Sequence, residues 1–226
     1  MDFWRDDATS SEIRTRIFFA LQRAGMSLSI PAQSIFMTLE GRSRKQRKQL
    51  EEIERRVAAL QRVRILQPLS DSERRELAEQ LAVTPFRRGE IITRQGQDAH
   101  HLYIIMRGQA EESVAVPPAA EFPGRRVATL AEGDVFGEMG LMTGEPRHAT
   151  VTALTDVVCY RLDKEEVQGI LHRRPEIAQE ISHLLAEHKT QLDAIVAGLS
   201  AQAKAMRPTI APSDLLHRIK QFFMLS

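Results

Sequence analysis

Short β-type hydrophobic runs, each closed by turn residues, recur through the middle of the chain. They occupy residues 90–96, 101–108, 109–116, 126–130, 149–153 and 156–162. Several short strands at such close spacing, separated by glycines, predict a small antiparallel roll or barrel. The prolines between Val116 and Arg126 cannot donate a hydrogen bond to a strand ladder, so an exposed loop is expected there.

Helical patterns lie on both sides of these strands. Ser70 is a candidate N-cap for a helix over residues 71–82, and Asp163 for one over residues 164–172. Pro175 then opens a longer helix whose apolar residues recur at three- and four-residue steps as far as Leu199. Ser213 is a candidate cap for a last amphipathic helix over residues 214–225. Together these elements predict an α+β fold, an antiparallel β-roll or jelly-roll barrel flanked by helices.

A separate pattern occupies the first forty residues. A helix with one apolar face is predicted there, and Gly25 ends it. The residues of that face are Ile13, Ile17, Leu21 and Ala24. Strand-like runs stand before the helix at residues 3–4 and after it at residues 34–39. Such a strand–helix–strand fragment is too small to bury its own core. Its strands therefore pair with another chain, or the sequence is a piece of a longer protein.

Residues 41–65 form a predicted basic, amphipathic connector helix. Its apolar residues follow a/d-like steps over barely two heptads, at Leu50, Ile53, Val57 and Leu60. The basic stretch from Arg42 to Lys48 suits an anionic lipid surface or a nucleic acid, and its simplest interpretation is a solvated helix face. We interpret the segment as a connector that helps subunits associate, so a homo-oligomer is expected.

Composition narrows the functional classes. Lys and Arg number 31 against 30 Asp and Glu, so there is no global nucleic-acid signature. The lone Cys159 lies in an apolar strand and is expected to be a buried thiol. Adjacent His100 and His101 would point to opposite faces of a strand, and the sequence shows no metal-ligand spacing, nucleophile–base constellation or P-loop. No enzyme activity, metal or cofactor is predicted, and without a signal peptide or apolar span the expected location is cytoplasmic.

The candidate chemistry is concentrated in residues 136–153. Glu138 and Arg147 stand nine residues apart among glycines at positions 137, 140 and 144. A guanidinium offers an anion a planar pair of charged donors, and an ionised carboxylate accepts from a hydroxyl. A helical turn over residues 138–143 would direct its first amides at the same anion. The pattern suits a ligand with a phosphate and a sugar hydroxyl; the alternative is a surface ion pair beside a glycine-rich turn.

This run resembles the phosphate-binding cassette of cyclic-nucleotide-binding domains, whose pattern is Phe-Gly-Glu-x-(Ala/Gly)-Leu, a short spacer, then Arg-x-Ala-Thr/Ser. Residues 88–96 and 102–108 also resemble early strands of that family, so the resemblance covers about residues 60–195. It implies that cAMP or cGMP is the ligand. The residues it implies for binding are Gly137, Glu138, Met139, Gly140, Leu141, Arg147, His148 and Ala149.

His148 departs from the family pattern, which often has Ser or Thr at this position. A hydroxyl there can touch the phosphate and, as Thr, helps guanine, so His148 favours cAMP over cGMP. The resemblance also makes the helix after Pro175 a lid over the purine, with Leu184, His188 and Leu192 as candidate contacts. The simpler interpretation is an amphipathic helix packed on the roll or on a partner, and both can hold.

Residues 3–39 resemble the end of the cytoplasmic domain of small-conductance mechanosensitive channels. There a helix reading Arg-x-x-Ile-x-x-Ala-Leu-x-x-x-Gly precedes an Ile-Pro-x-Pro-Gln-like turn, and here Ala32 stands where the second Pro often sits. Together the two resemblances imply a bacterial cyclic-nucleotide-gated channel of this kind. Its membrane domain would precede Met1, and this part would lie at the cytoplasmic face of the inner membrane. A generic strand–helix–strand fragment is the alternative.

The predicted organisation has four parts: a channel-like fragment at 1–40, the connector at 41–65, a cyclic-nucleotide-binding domain with its lid helix at 66–200, and a tail at 201–226. The predicted function is a cyclic-nucleotide sensor that gates a channel. One alternative is a catabolite-activator-type transcriptional regulator, although the single helix after Leu199 cannot form a helix-turn-helix. No specific nucleic-acid contact is therefore expected. The other alternative is a regulatory subunit acting in trans, with Arg42 to Lys48 as its only pseudosubstrate-like segment.

Overall fold

The computed structural model describes residues 6–26, 42–115, 124–197 and 211–225. Seven α-helices and eight strands are found in these ranges. The helices are α1 (Asp6–Arg23), α2 (Arg42–Gln61), α3 (Asp71–Gln80), α4 (Glu138–Thr143), α5 (Lys164–Arg173), α6 (Ile177–Ala197) and α7 (Pro212–Phe223), with a 3₁₀ turn at Arg64–Leu66. The strands are β1 (Ala82–Phe86), β2 (Ile91–Thr93), β3 (His101–Arg107), β4 (Ala110–Val114), β5 (Arg125–Leu130), β6 (Val135–Phe136), β7 (Thr150–Ala153) and β8 (Val157–Asp163).

The strands form two four-stranded antiparallel sheets with the orders β1-β8-β3-β6 and β2-β7-β4-β5. A shared apolar core, which includes Ile105, Val151 and Cys159, lies between them. The predicted α+β roll is thus confirmed, as two open sheets and not a closed barrel. Cys159 is fully buried as expected, and burial raises the pKa of its thiol to about 12.

The first sheet is buried on both faces. On β3, Ile105 points into the roll, whereas Leu102 and Ile104 join a second and larger core beneath the helices. This arrangement explains why β3 is an almost unbroken apolar run. The sequence missed β1 and β6 for two reasons. Pro85 lies within β1, which is tolerated because β1 is an edge strand, and β6 has only two residues, too few for a periodic signal.

Helix boundaries follow the predicted caps in part. Ser70 is the N-cap of α3, as predicted, and it forms a complete capping box with Glu73, in which Ser70 N donates to Glu73 Oε2 at 2.7 Å. The helix α3 ends at Gln80 and not at Ala82, because β1 begins there. Asp163 occupies the N-cap of α5, but its carboxylate binds Arg161 at 2.9 Å instead of capping. The last helix starts at Pro212 after Ala211, so the prediction of Ser213 as its cap is wrong.

The connector helix α2 packs against its own domain. Leu60 is fully buried, Ile53 and Val57 lie on the larger core, and only Leu50 of the predicted stripe is exposed. The Arg56 guanidinium donates to the carbonyl oxygens of Ala78 and Leu81 at 3.2 and 3.0 Å. Most of the stripe is therefore used within the chain, which corrects its interpretation as a surface for subunit association. A homo-oligomer remains a prediction.

The predicted N-terminal helix is present as α1, and Gly25 follows it with φ of +69°. Arg23 at its end donates to the Pro85 carbonyl at 3.0 Å and covers the Phe86 ring. The first half of the predicted apolar face is not buried, since Ile13 and Ile17 are 54% and 49% exposed, whereas Leu21 is partly buried. The strands predicted at residues 3–4 and 34–39 lie outside the described residues, as does most of the predicted loop after Val116. Nowhere in the described ranges is a helix long and apolar enough to cross a membrane.

Candidate functional site

A cavity of about 450 Å³ lies where four parts of the chain meet. Its walls come from the segment around α4, from β4 and β5 of the second sheet, from residues 62–65 after the connector helix, and from His188 of α6. Most of the candidate binding residues face it.

The α4 segment is the short helical turn that the sequence predicted. Glycines with left-handed backbone stand at both of its ends, Gly137 with φ of +88° and Gly144 with φ of +71°. A side chain at Gly137 would collide with the Arg147 guanidinium, and a Cβ at Gly140 would lie 2.6 Å from the Ala99 carbonyl oxygen. These two glycines are required because the backbone of α4 passes directly against its neighbours.

Arg147 is buried at the floor of this segment, with 5% of its surface exposed. Its Nη1 donates to the Gly137 carbonyl at 2.8 Å and its Nη2 to the His101 carbonyl at 2.6 Å. Its Nε–H is buried and finds no hydrogen-bond partner among the described residues. Burial lowers the pKa of Arg147, and Tyr103 and Glu138 oppose that shift. A buried cation whose hydrogen bonds go to neutral carbonyls, and whose Nε–H is unpaired among the described residues, is suited to an anion.

Glu138 stands at the first position of α4 and is 6% exposed. Its Oε1 lies 3.1 Å from Nδ1 of His188, which reaches down from α6. The hydrogen bond to Glu138 raises the pKa of His188, while burial and Arg64 oppose the shift and Glu112 adds to it. The carboxylate that the sequence assigned to a sugar hydroxyl is thus already in contact with the predicted lid helix.

His148 is held sideways by a second carboxylate. Its Nε2 lies 2.9 Å from Oε2 of Glu145, and Oε1 of Glu145 pairs with Arg218 of α7. The hydrogen bond from His148 is the main cause that lowers the pKa of Glu145. The sequence did not anticipate this three-residue chain, because Arg218 belongs to the tail helix.

The structure brings together seven of the eight predicted cassette residues at the cavity: Gly137, Glu138, Met139, Gly140, Arg147, His148 and Ala149. Leu141 is the exception, since it is fully buried in the larger core. Of the candidate lid contacts, His188 lines the cavity and Leu184 packs on the core instead. The side chain of Leu192 lies outside the described residues.

Sequence reasoning missed the opposite wall of the cavity. It consists of residues 62–65 with Thr93, Glu112, residues 128–130 and residues 133–136. The Arg62 guanidinium covers Gly133 so closely that a Cβ there would lie 2.8 Å from Nη1. Apart from Phe136, which begins the Phe-Gly-Glu pattern, no motif marks these residues, because they come from five separate parts of the chain; the glycine at 133 was the only other local signal.

The comparisons with known proteins agree with this geometry. Residues 83–174 match the family model described as "Cyclic nucleotide-binding domain". The chain contains a cyclic-nucleotide-binding domain. A cAMP-dependent protein kinase regulatory subunit of Dictyostelium discoideum is 36% identical over 106 residues, which is 47% of this chain and 32% of that protein. A CRP-like cAMP-activated global transcriptional regulator of Mycobacterium tuberculosis is 28% identical over 127 residues, or 56% of this chain and 55% of that one.

Two solved structures share the fold of this domain. The regulatory domain of Toxoplasma gondii PKA, crystallised with cAMP, has a TM-score of 0.53 at 25% identity and covers 63% of this chain and 51% of its own. A cyclic nucleotide-binding domain from Methylobacillus flagellatus has a TM-score of 0.53 at 17% identity, over 66% of this chain and 85% of its own. The chain matches about a third to just over half of the length of the two curated relatives.

Proposed function

We propose that this chain binds a cyclic nucleotide, cAMP in preference to cGMP, and acts as a regulatory sensor. The observation that carries the proposal is that the buried Arg147 guanidinium and the buried Glu138 carboxylate open onto one cavity. One supplies charged donors and the other supplies charged acceptors. A ribose cyclic phosphate presents an anion and a hydroxyl donor on one small, rigid ring system.

Arg147 is the proposed phosphate ligand. Its Nε–H has no partner among the described residues, and its guanidinium lies so close to Gly137 that only glycine fits there. Arg147 should therefore contribute strongly to the binding free energy, since truncating one member of a buried charge pair typically costs 2–5 kcal/mol. The neutral carbonyls of Gly137 and His101 hold the guanidinium in place without neutralising it.

Glu138 is the proposed acceptor for the ribose 2′-hydroxyl, and His188 links that subsite to α6. His188 Nδ1 lies 3.1 Å from Glu138 Oε1. A ligand hydroxyl that donates to the Glu138 carboxylate therefore changes the hydrogen bond available to His188. Ligand energy can act on α6 only through such differential contacts, because equal affinity for two arrangements shifts neither. We therefore propose His188 as the contact through which the lid helix responds.

The preference for cAMP rests on His148. Its Nε2 is engaged by Glu145, so the position offers no compact hydroxyl to a guanine-containing ligand. The relatives whose names mention cAMP include a kinase regulatory subunit and a transcriptional regulator, which supports a cAMP-type sensor.

Calorimetry of the full chain with cAMP and with cGMP tests the proposal. Arg147→Ala should weaken cAMP binding by about 30-fold or more, from the 2–5 kcal/mol expected for a truncated buried pair. Arg147→Lys should recover only part of the loss, since the planar fork is missing. Arg88→Ala removes a cation from an exposed position and serves as the matched control. No binding of either nucleotide at millimolar concentration would refute the proposed function.

For the output of the sensor, we propose gating of a mechanosensitive-family channel at the cytoplasmic face of the inner membrane, with a regulatory and not a catalytic role. The resemblance of residues 3–39 supports it, as does the exposed face of α1, which leaves Ile13 and Ile17 free to meet another chain or an upstream segment. Transcriptional regulation and regulation in trans are the alternatives. Genomic DNA upstream of Met1 should encode in-frame membrane helices, and a stop codon directly upstream would remove the channel proposal.

A further inference from the structure

The C-terminal helix α7 is seated against the cassette, outside the matched range of the family model. Leu215, Ile219 and Phe223 are fully buried in the larger core. Phe222 packs against Gly144, the residue that ends α4. A Cβ at Gly144 would lie 2.6 Å from Cε2 of Phe222. The ring therefore fills the space that a side chain would need at the end of the cassette.

Phe222 also contacts the turn before β3 and the start of α5, on either side of the cassette. It packs edge-on against His100 at 5.0 Å, and the ammonium of Lys164 lies 3.7 Å from its ring centre. His100 ends the turn between β2 and β3, and that turn fixes the Arg147 backbone, whose N–H donates to the Gln97 carbonyl at 2.9 Å. Any shift of α4 or of this turn must therefore be accommodated by α7.

A polar contact joins α7 to the cavity as well. The Glu145 carboxylate binds His148 at 2.9 Å through one oxygen and Arg218 of α7 through the other. Glu145 is only 17% exposed, and its carboxylate has His148 and Arg218 as its two hydrogen-bond partners in the described structure. The backbone oxygen of Glu145 and Nη1 of Arg147 lie on the same side of Gly140, each 3.3 Å from the Cβ that a side chain would place there.

We propose that α7 is a ligand-responsive element and that Glu145 is the positioning residue that couples it to the phosphate. The inference rests on the proposed function. A phosphate beside Arg147 and His148 is repelled by the Glu145 carboxylate unless Arg218 neutralises that carboxylate, so the docked helix favours binding. When the phosphate engages His148, Arg218 becomes the chief partner of Glu145, so the ligand holds α7 more firmly. The two effects are equal in free energy by linkage.

A double-variant cycle on the full chain, read by calorimetry with cAMP, isolates this coupling. Arg218→Ala should weaken binding about 5-fold, at the low end of typical coupling between sites. In a Glu145→Gln background, the same change should have no effect, because the repelling carboxylate is gone. Lys220→Ala removes an equal charge about 200° around the same helix and should leave affinity within about twofold. Arg218→Ala could also loosen the helix. Arg218→Lys keeps the positive charge, so it should bind cAMP more tightly than Arg218→Ala and close to the wild type.

Hydrogen exchange of the α7 amides provides a readout that a purely structural role would not move. Saturation with cAMP should slow exchange across residues 212–223 about 5-fold in the wild type, by reciprocity, and leave it unchanged in Glu145→Gln. If the wild type binds neither cAMP nor cGMP, the proposed function fails and the coupling with it. If cAMP binds but α7 exchange is unchanged, or Arg218→Ala is equally harmful in both backgrounds, only the coupling is overturned.

Discussion

The Glu138 carboxylate makes the assignment of the ribose subsite directly testable. Glu138→Gln keeps the shape of the side chain and removes its charge at a position that is 6% exposed. Hydrogen bonds to charged groups contribute about 1.5–3 kcal/mol, which corresponds to about 10- to 150-fold in Kd. His188 already occupies Oε1 at 3.1 Å, so the hydroxyl shares the carboxylate with an imidazole. We therefore expect a loss near the lower end, about 10- to 30-fold.

The assay is a cycle between protein and ligand. Calorimetry gives Kd for cAMP and for its 2′-deoxy analogue, each with the wild type and with Glu138→Gln. If Glu138 binds the 2′-hydroxyl, Glu138→Gln should weaken the binding of cAMP but hardly that of the 2′-deoxy analogue. The coupling energy between the carboxylate and the hydroxyl should then be about 1.5 kcal/mol. Glu132→Gln, at an exposed position in the turn before β6, is the matched control. Glu138→Gln losing the same factor with both ligands would refute the assignment.

The same variant has a consequence for His188, whose pKa is raised chiefly by Glu138. A raised pKa means that the pair stabilises the fold below the unfolded pKa of about 6.5 and that this contribution is lost as pH rises through the folded value. In Glu138→Gln the His188 pKa should fall, and unfolding free energy should lose that pH dependence. An NMR titration of His188 with the same midpoint in both proteins would contradict the contact.

Three further predictions concern base preference, acid stability and DNA. His148→Thr should gain cGMP affinity relative to cAMP in competition binding; a wild type that already prefers cGMP tenfold would contradict the argument. Burial and Arg147 lower the pKa of His101 to about 4, so stability should fall as pH drops from about 6.5 towards 4, by up to about 3 kcal/mol, and His101→Gln should flatten this part of the urea-unfolding profile. Selection from random DNA duplexes should recover no salt-resistant, cAMP-dependent site, because binding through Arg42 to Lys48 alone would weaken as the salt concentration rises. A recovered consensus sequence would favour a transcriptional regulator.

The cassette could be predicted because its geometry is local. The left-handed backbone at Gly137 and Gly144 and the turn between them follow from residue types close in sequence. The motif could not indicate which way each side chain points. Leu141 matches the family pattern but is buried in the core, because a pattern records a required residue type and not whether that residue meets ligand or packing.

The wall around residues 62–65, the pairing of His188 with Glu138 and the packing of α7 could not be predicted, since each depends on packing between distant elements. Periodicity identified α2 and its apolar stripe. It could not decide between a second subunit and the chain's own core, because both bury the same residues. The caps show the same limit: Ser70 worked as predicted, whereas Asp163 is bound by Arg161 from the preceding strand.

Val63 and Ile65 line the cavity directly after α2, so the connector is continuous with the cavity wall. Leu60 is buried in the larger core and Arg56 donates to two carbonyls of the domain, so α2 is fixed to the domain a few residues before the cavity wall. Given the proposed ligand, a displacement of α2 that widens the cavity would weaken binding, and by thermodynamic reciprocity a bound ligand would resist that displacement with the same energy. On the proposed function, displacement of the connector and ligand concentration would therefore act on one shared equilibrium.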